Sequence, residues 1–531
     1  MPRVRWWKGQ IGDCCRRAYF TLSVSQIILV LGYMVAVICC FVIGAELTQN
    51  SNRPGFIALA QLPVILLLSL KSPLPLPIFL PSLSYEHYNF LHRWAGRTLF
   101  LSVTVHGGMW INQFIRNDEM DQIRSDKAVR GIVAYGLMCG IVITSLKPFR
   151  RRFYQVFWAA HVMFFVGFFA AISYHTPYSR PWIYPCIAIY GYDLAVRMLR
   201  YRIKDATLVP IDDTLTMIHI PDCDSGWLPT QHVFLRIMKG SGIFESHPFT
   251  ITNAPSLSPG QRGIILYAKV SGDWTRKVHN LAKDTSTIEF DVDDDESMIM
   301  EETQRFLENE KDDVSEVRCG SDHPGRKVQV ILDGPYGGLK MDMGEYDTVL
   351  CIGGGSGITF ILGSIEACLR IRQTRKKGPR RVDVVWVVRD ISTIQALSPT
   401  LSYLHTLSLK WGLELNYNLY LSYPATPLPG IPSCLAPTTR LNPFRPEISQ
   451  LLRESLPVPS TSSMAEHEHE LGIARPTAEA EAEQEAGGGI AVIACGPEGI
   501  VAETKNAIAN LSLREKVRSG GIAFHGECYS L

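Results

Sequence analysis

The sequence predicts a bundle of six membrane-spanning helices, followed by an antiparallel β-barrel domain and a parallel α/β domain. Three observations support this fold class. Six apolar segments precede residue 200, short runs of β-forming residues follow residue 210, and strands alternate with helical segments from residue 347. Roughly 20 apolar residues cross a bilayer as a helix. Alternation of strands with helices is typical of a parallel sheet.

The apolar segments also predict an orientation in the membrane. They are Ala18–Ala45, Pro54–Leu70, Tyr88–Ile115, Gly131–Leu146, Phe153–Ser179 and Pro181–Ala195. Basic residues concentrate before the first segment, in the connection Lys147–Arg152 and after the sixth segment. The positive-inside rule therefore predicts cytosolic chain ends and an even number of spans, which six satisfies. No cleavage-site pattern follows the first segment, so we interpret it as a membrane helix and not a signal peptide.

Beyond the membrane region, periodicity predicts strands and domain boundaries. The expected barrel strands are Leu215–Ile220, Gln231–Ile237, Gly263–Val270 and Thr287–Val292. The expected α/β elements are strands Thr348–Ile352, Val382–Val388, Leu413–Leu421 and Ile490–Ala494, with a helix at Ile358–Arg372. We expect a cytosolic N-terminus at 1–20, a membrane domain at 21–200, a barrel domain at 201–340 and an α/β domain at 341–531. Polar or repetitive composition predicts flexible insertions at about 291–326 and 423–489.

Composition excludes several classes of function. The 531 residues carry a net charge of +1, which gives no global attraction to nucleic acid. The 13 cysteines include no CxxC spacing, which argues against a zinc site or a disulfide framework. The chemistry must therefore come from other residues.

Four histidines lie inside two of the apolar segments. His92 and His106 are 14 residues apart in the third segment, and His161 and His175 are 14 apart in the fifth. Fourteen residues make nearly four helical turns, so each pair shares one face with its members about 21 Å apart. Both helices run outward, which predicts that His92 faces His161 and His106 faces His175. Opposed imidazoles suit haem iron, so we predict two haems. The alternative is isolated polar residues satisfied by hydrogen bonds.

Phe168 lies seven residues from both His161 and His175. At that position it is expected to fill the space between the two haems. Ordinary core packing is the alternative interpretation.

Two segments of the barrel domain carry residues suited to a flavin. The first is His247-Pro-Phe-Thr-Ile-Thr252, whose candidate residues are His247, Pro248, Phe249, Thr250 and Thr252. The second, Lys269–Lys277, adds Gly272, Thr275, Arg276 and Lys277. Backbone groups at a helix start favour a diphosphate. The alternative for the second segment is a basic helix terminus.

Two segments of the α/β domain follow predicted strands, where nucleotides bind in such folds. The first provides Gly353, Gly354, Gly355, Ser356, Gly357, Ile358 and Thr359, and the second provides Cys495, Gly496 and Pro497. Glycines before a helix let the backbone approach a phosphate, although a purely structural turn is the alternative. Arg389 follows the strand Val382–Val388 and could meet a 2′-phosphate, or it is a surface arginine.

These residues together resemble the fungal ferric reductase family, which belongs with the NADPH oxidases. The resemblance rests on His92-Arg-Trp-Ala-Gly-Arg97 with the three later histidines, His247–Thr250, Asp333-Gly-Pro-Tyr-Gly337, Gly353–Phe360 and Cys495–Pro497. It implies a ferredoxin-reductase-like module that binds FAD and NADPH, and two b-type haems in the membrane domain. It also implies that electrons pass from cytosolic NADPH to ferric or cupric ions, or their chelates, at the outer face. A plasma-membrane role in iron uptake follows from the same resemblance.

The C-terminus departs in part from the family pattern His-x-Glu-x-Phe-x-Trp. Here it reads His525-Gly-Glu-Cys-Tyr-Ser-Leu531, so Tyr529 replaces Phe and Leu531 replaces Trp. By the resemblance, Tyr529 would stack on the flavin, whose apolar face a planar side chain can cover. The alternative is a surface tyrosine on a frayed tail.

Two other functions compete with metal reduction. A superoxide-producing NADPH oxidase would share the cofactors, but its second histidine pair usually has one residue fewer between its members, and its last outer loop is long. The equal intervals and the short loop Thr176–Arg180 favour metal reduction. A non-catalytic membrane scaffold is the other alternative function. Free Fe(III), iron–siderophore complexes and Cu(II) all stay open as acceptors, as does an internal membrane. A ferroxidase or permease partner is not readable from the sequence.

Overall fold

The computed structural model describes residues 24–44, 50–70, 85–223, 225–239, 245–255, 263–284, 325–375, 378–422, 435, 439–456 and 488–529. The chain divides into two compact units, with the boundary between Leu199 and Arg200. The first 20 residues, the expected strand Thr287–Val292 and nearly all of the insertion at 291–326 lie outside the described residues.

A helix covers each of the six apolar segments in the first unit. Their bounds are α1 Val24–Val42, α2 Arg53–Leu67, α3 Tyr85–Arg116, α4 Asp126–Ser145, α6 Tyr154–His175 and α7 Arg180–Arg200, with the short α5 Lys147–Arg152 between α4 and α6. Among the described helices, α4 and α6 are long and apolar enough to cross a membrane, and only 11% of each apolar window is buried. Such exposed apolar faces need a lipid environment, because water would disfavour them.

The core of this unit lies at mid-height between the helices. It is formed by buried side chains from five of them, which are Ala58, Leu62, Leu99, Ala134, Met138, Phe168, Ile172, Ile183 and Cys186. A polar cluster joins α1, α2 and α3 beside this core. The Gln61 amide oxygen accepts from Tyr33 and Thr98, and its amide nitrogen donates to Ser102 and to a carbonyl of its own helix. All four hydrogen-bonding positions of Gln61 are satisfied, as buried polar groups in lipid require.

The second unit begins with a nearly closed antiparallel barrel. Its strands are β1 Arg202–Pro210, β2 Leu215–Ile220, β3 His232–Ile237, β4 His247–Thr250, β5 Ile264–Lys269 and β6 Arg326–Tyr336, in the order β4-β3-β6-β1-β2-β5. The edge strands meet where the amide and hydroxyl of Thr252 both donate to the carbonyl of Ile265. Helix α8, Asp273–Lys283, packs against the barrel core through Trp274 and Val278.

A six-stranded parallel sheet follows the barrel. Its strands are β7 Thr348–Gly354, β8 Arg381–Val388, β9 Glu414–Leu421, β10 Thr439–Asn442, β11 Ile490–Gly496 and β12 Ile522–Cys528, in the order β10-β9-β8-β7-β11-β12. Every residue of β7 and β11 is buried, because helices cover both faces of such a sheet. The helices are α9 Ile358–Thr374, α10 Ile391–Lys410, α11 Ile448–Glu454, α12 Glu498–Ala509 and α13 Leu513–Arg518.

The flexible insertion expected at about 423–489 is wrong for residues 439–456, and most of its other residues lie outside the described residues. Strand β10 and helix α11 lie inside it. The strand pairs with the free edge of β9, and the helix buries Ile448 and Leu452 against the sheet. Proline-rich and Glu-Ala-rich flanks hid these short elements, whose stability comes from pairing and burial and not from local propensity.

Helix α9 lies directly against the barrel. A Cβ on Gly363 would come within 2.8 Å of the Thr230 nitrogen and 3.0 Å of the Ile251 oxygen. Three residues later, an oxygen of the buried Glu366 carboxyl group accepts a hydrogen bond from the amide of Ala254. The absence of a side chain at Gly363 and the acceptor at Glu366 therefore set how closely the two domains pack.

Glu366 predicts a stability that depends on pH. Burial raises the pKa of Glu366 to about 8, although the Ala254 amide acts in the opposite direction. The folded pKa exceeds the unfolded value of about 4.3, so stability falls as pH rises between these values. Glu366→Gln should remove this loss, and its unfolding free energy relative to wild type should rise by about 4 kcal/mol from pH 5 to pH 9. Denaturant unfolding of the full-length protein in detergent, followed by circular dichroism, measures this difference. Glu503→Gln, which changes a carboxylate paired with Arg445 at the surface, should show no comparable trend. Parallel pH profiles for wild type and Glu366→Gln would contradict the prediction.

Candidate functional site

The four membrane histidines form two opposed pairs. The ring centroids of His92 and His161 are 6.3 Å apart, and those of His106 and His175 are 6.4 Å apart. A metal–imidazole bond is about 2 Å long, and the ring centre lies about 1 Å beyond the nitrogen. Two imidazoles on one iron therefore have ring centroids roughly 6 Å apart. Each pair therefore has the separation that one iron atom between two imidazoles needs, and the pairing is the one that the spacing predicts.

The hydrogen bonds of the four rings leave the same atom available on each. His92, His106 and His175 bond through Nδ1 to the backbone carbonyls of Ile65, Ser51 and Lys127, at 2.8, 2.7 and 2.8 Å. His161 bonds through Nδ1 to the Ser145 hydroxyl at 3.2 Å. Hydrogen bonding at Nδ1 selects the tautomer whose Nε2 is free for a metal. The donor set therefore fits haem.

The acceptors come from two other parts of the unit, around helices α2 and α4. Helix α2 and Ser51, two residues before it, support the rings of α3, while α4 supports the rings of α6. Glycines allow the approach at one end. A Cβ on Gly55 would lie 3.0 Å from the His106 ring, and one on Gly131 would lie 2.8 Å from the His175 ring. Sequence reasoning missed both glycines and all four acceptors, because their contacts join distant segments.

Phe168 lies in the buried core of this unit, between the two histidines of α6 along the helix. It is 5% exposed, and Leu99 is equally buried. Leu99 lies seven residues from both His92 and His106, so it is the counterpart of Phe168 on α3. The interval that pointed to Phe168 also identifies Leu99.

The predicted flavin segment forms β4 and lies beside the start of α8. The ring of His247 lies 4.4 Å from that of Trp274, and Phe249 lies 5.7 Å from the same indole. Pro248 pairs with Phe234 on the neighbouring strand. Sequence reasoning missed Trp274 within Lys269–Lys277, although a tryptophan in an otherwise polar and basic stretch was a usable signal.

Several predicted flavin residues have partners within the protein. The Thr252 hydroxyl closes the barrel through its bond to Ile265, and its side chain is buried. The Thr275 hydroxyl accepts from the amides of Ser271 and Gly272, so it caps α8. Arg276 pairs with Asp273, and Lys277 is exposed. A Cβ on Gly272 would meet nothing within 4 Å, so the space before the helix is open.

The two predicted nucleotide segments meet at one edge of the parallel sheet. Gly353 pairs with Cys495, and both segments follow the carboxyl ends of adjacent strands. Strands β8 to β10 add to one side of β7, whereas β11 and β12 add to its other side. Ligands bind in the crevice at such a switch point. A Cβ on Gly357 would lie 2.2 Å from the Cys495 oxygen, so only glycine allows this contact. Gly355 has φ of +56°, a conformation that favours glycine.

The remaining residues of this group lie near the same edge. Arg389 is exposed directly after β8, the neighbour of β7. The Trp386 indole donates to the Gly355 carbonyl at 3.0 Å. Pro497 caps α12, and the Thr359 hydroxyl donates to the Ser356 carbonyl. Ile358 is buried at the start of α9.

Tyr529 connects the flavin segment to the nucleotide segment. Its hydroxyl lies 2.7 Å from the Thr250 hydroxyl, and its amide donates to the Gly496 carbonyl at 3.1 Å. The residue is 42% exposed although its hydroxyl is bonded. Nearby, His525 stacks on Phe360 at 5.5 Å and bonds to Glu527. The Tyr529 ring is therefore partly open and anchored between the two segments.

Three family models match the chain in the order of its domains. They are the ferric reductase like transmembrane component at residues 54–172, the FAD-binding domain at 198–340 and the ferric reductase NAD binding domain at 346–509. Among solved structures, a ferredoxin NADP+ reductase from Neisseria gonorrhoeae aligns at 13% identity and a TM-score of 0.34. That alignment covers 62% of this chain and 98% of that chain.

Curated relatives carry matching names. Ferric reductase transmembrane component 1 of Schizosaccharomyces pombe is 26% identical over 433 residues, which cover 78% of this chain and 73% of the relative. Component 4 of Saccharomyces cerevisiae is 26% identical, over 69% of this chain and 45% of the relative. The ferric/cupric component 2 of Saccharomyces cerevisiae is 24% identical, over 68% of this chain and 45% of the relative. The chain thus spans less than half of the two budding-yeast relatives. It belongs to the ferric reductase family, with a transmembrane component followed by an FAD-binding and a NAD-binding domain.

Proposed function

We propose that this protein is a transmembrane metalloreductase that moves electrons from cytosolic NADPH, through FAD and two b haems, to Fe(III) or Cu(II) at the outer face. The single observation that carries this proposal is the pair of bis-histidine sites, each with a centroid separation suited to one iron. The names of the relatives, which are ferric and ferric/cupric reductases, support the same substrate class.

Six spans with both chain ends in the cytosol are the arrangement we propose for the membrane domain. It is supported by the six helices and by the basic segments at alternate connections. In this orientation, His92 and His161 hold the inner haem, and His106 and His175 hold the outer haem. Phe168 and Leu99 fill the apolar layer between the two sites. Electron movement outward follows an inside-negative potential, at roughly 2.3 kcal/mol per charge per 100 mV.

The cytosolic residues need to bind and orient, and they need little acid–base chemistry. When bound, FAD accepts two electrons together as hydride and releases them one at a time, which joins nicotinamide chemistry to haem. Residues 353–359 and 495–497 would hold the nucleotide phosphates at the sheet edge, and His247–Thr250 would hold the flavin. Tyr529 would cover the flavin face that nicotinamide must occupy.

Tyr529→Ser should let nucleotides occupy the flavin face more readily and weaken the discrimination between NADPH and NADH. The reason is that stacking of about 0.5–1.5 kcal/mol no longer competes with nicotinamide. Stopped-flow reduction of the flavin should show tighter apparent nucleotide binding or an altered charge-transfer band. Tyr529→Phe is the matched control, because it keeps the ring and removes the hydroxyl together with its hydrogen bonds to Thr250 and Cys495. If Tyr529→Ser behaves as wild type while its haem content is intact, Tyr529 is not the cap.

Arg389→Ala should lower the preference for NADPH over NADH by roughly 10- to 150-fold, because a charged hydrogen bond to a 2′-phosphate contributes about 1.5–3 kcal/mol. The ratio of kcat/KM for the two nucleotides measures this preference. Arg370→Ala, on α9 and away from the sheet edge, should leave the ratio unchanged. An unchanged ratio in Arg389→Ala would assign Arg389 to the surface.

The proposed activity is tested by NADPH-driven reduction of a membrane-impermeant ferric chelate, with intact cells or right-side-out vesicles that hold NADPH inside. We expect Fe(II) to form outside at a rate that superoxide dismutase does not change. Complete inhibition by superoxide dismutase would instead indicate the oxidase function. Purified protein without a haem absorption spectrum would indicate a non-catalytic scaffold.

A further inference from the structure

The hydrogen bonds behind the four haem-facing histidines are not equivalent. Three rings bond to backbone carbonyls, which substitution cannot remove, but His161 bonds to a side chain, the hydroxyl of Ser145. Ser145 is the last residue of α4, on the side of the basic connection Lys147–Arg152. The His161 position is therefore the one of the four that a single side chain controls.

The direction of that bond follows from the other bond of Ser145. Its hydroxyl donates to the Ile141 carbonyl at 2.6 Å. A hydroxyl has one hydrogen, so at 3.2 Å from His161 it can only accept. His161 must then carry its proton on Nδ1, which leaves the Nε2 lone pair for a metal.

The two supporting helices place their hydrogen-bonding residues at matching positions, and only one helix places a serine hydroxyl between a carbonyl and a histidine. Ser51 and Ile65 hold the rings of α3, and Lys127 and Ile141 lie 76 residues after them in turn. The carbonyl of Ile65 accepts directly from His92, whereas Ile141 acts through Ser145. Ser69 is the counterpart of Ser145, and its hydroxyl donates to Leu66. Of these two matching serines, only Ser145 on α4 joins a backbone carbonyl to a histidine through its hydroxyl.

We propose that Ser145 is a positioning residue that sets the tautomer and ring orientation of His161, and so the reduction potential of the inner haem. This inference rests on the proposed function, in which His92 and His161 hold that haem. Hydrogen bonding to the second nitrogen of a ligating imidazole fixes its plane and increases its donor strength, which stabilises ferric iron. Without the acceptor, the ferric form is less stabilised and the potential rises.

The test compares Ser145→Ala, Ser145→Thr and Thr144→Ala in the full-length protein loaded with haem. Thr144 is a matched control, because its hydroxyl donates to the Gly140 carbonyl at 2.7 Å, lies 3.2 Å from the Ile141 carbonyl and bonds to no histidine among the described residues. The measurements are pyridine haemochrome content, a spectroelectrochemical titration and the low-spin ferric EPR spectrum. We expect Ser145→Ala to keep two haems, raise one of the two midpoint potentials and shift one of the two EPR signals. Ser145→Thr and Thr144→Ala should match wild type.

Repeating the measurement in the His175→Ala variant assigns the change in midpoint potential to the inner haem. His175→Ala should contain the inner haem alone, and adding Ser145→Ala there should shift its potential by the same amount. If Ser145→Ala loses the haem outright, retention in Ser145→Thr at the wild-type potential supports the role of the hydroxyl, and loss from both variants overturns it. Unchanged potentials in Ser145→Ala, or an equal shift in Thr144→Ala, also overturn it. Wild-type protein without two haems would instead refute the proposed function.

Discussion

His106→Ala or His175→Ala is expected to remove one of the two b haems and to abolish transmembrane reduction, while flavin content stays near the wild-type value. Each variant leaves a single imidazole at a site whose centroid separation of 6.4 Å suits two ligands on one iron. The flavin residues belong to the other compact unit and do not depend on this pair. Pyridine haemochrome assay of purified protein, together with ferric-chelate reduction by cells, measures both effects.

Ser173→Ala is the control for this pair of variants. Ser173 lies two residues before His175 on the same helix, and its hydroxyl donates only to the carbonyl of Phe169. We expect it to keep two haems and full activity. If His106→Ala or His175→Ala retained two haems, the outer ligand assignment would be wrong.

Gly131→Val should remove the same haem although all four histidines are present. A Cβ at this position would lie 2.8 Å from Cε1 and 3.0 Å from Nδ1 of His175, closer than side chains normally approach. The ring would have to leave both its bond to the Lys127 carbonyl and its place opposite His106. We expect haem content to fall from two to about one, with loss of outer-face reduction of more than tenfold, since a displacement of about 1 Å can cost two orders of magnitude.

Gly136→Val separates this packing effect from the cost of a β-branched residue in a helix. Gly136 lies on the same helix, and a Cβ there would meet nothing within 4 Å. Two haems and normal activity are expected in Gly136→Val. Equal haem loss in both variants would show that a valine at either glycine position disrupts helix α4. That result would contradict a specific role for Gly131.

Local patterns predicted many of the described elements correctly, but not strands β1 and β6 or helix α10. The strand Leu215–Ile220 has the predicted bounds. The helix expected at Ile358–Arg372 ends two residues later than predicted, at Thr374. Hydrophobic periodicity and glycine turns act over a few residues, so the sequence carries this information directly. Strand β10 and helix α11 escaped prediction, because pairing with β9 and burial against the sheet stabilise them.

The candidate site was predictable to the extent that it depends on spacing along one helix. The 14-residue intervals alone indicate which histidines share a face, and the strand–glycine–helix order indicates the nucleotide edge. The interpretation of Thr252 shows the limit of such reasoning. Its hydroxyl suited a flavin by pattern, but in the fold it bonds to Ile265 and closes the barrel. The partner of a short polar side chain depends on which distant backbone comes near it.

The sequence by itself determined the class of this protein: apolar helices, four histidines at matched intervals, and flavin and nucleotide segments at strand ends. Each of these is a regularity within one element, where helical or strand geometry converts spacing into position. The tertiary structure alone decided which atoms support the histidines, why Gly131 and Gly357 must be glycine, and how Tyr529 reaches Thr250. Those contacts join residues 44, 138 and 279 positions apart in the chain. Packing between distant elements, and not propensity within one, brings such atoms together.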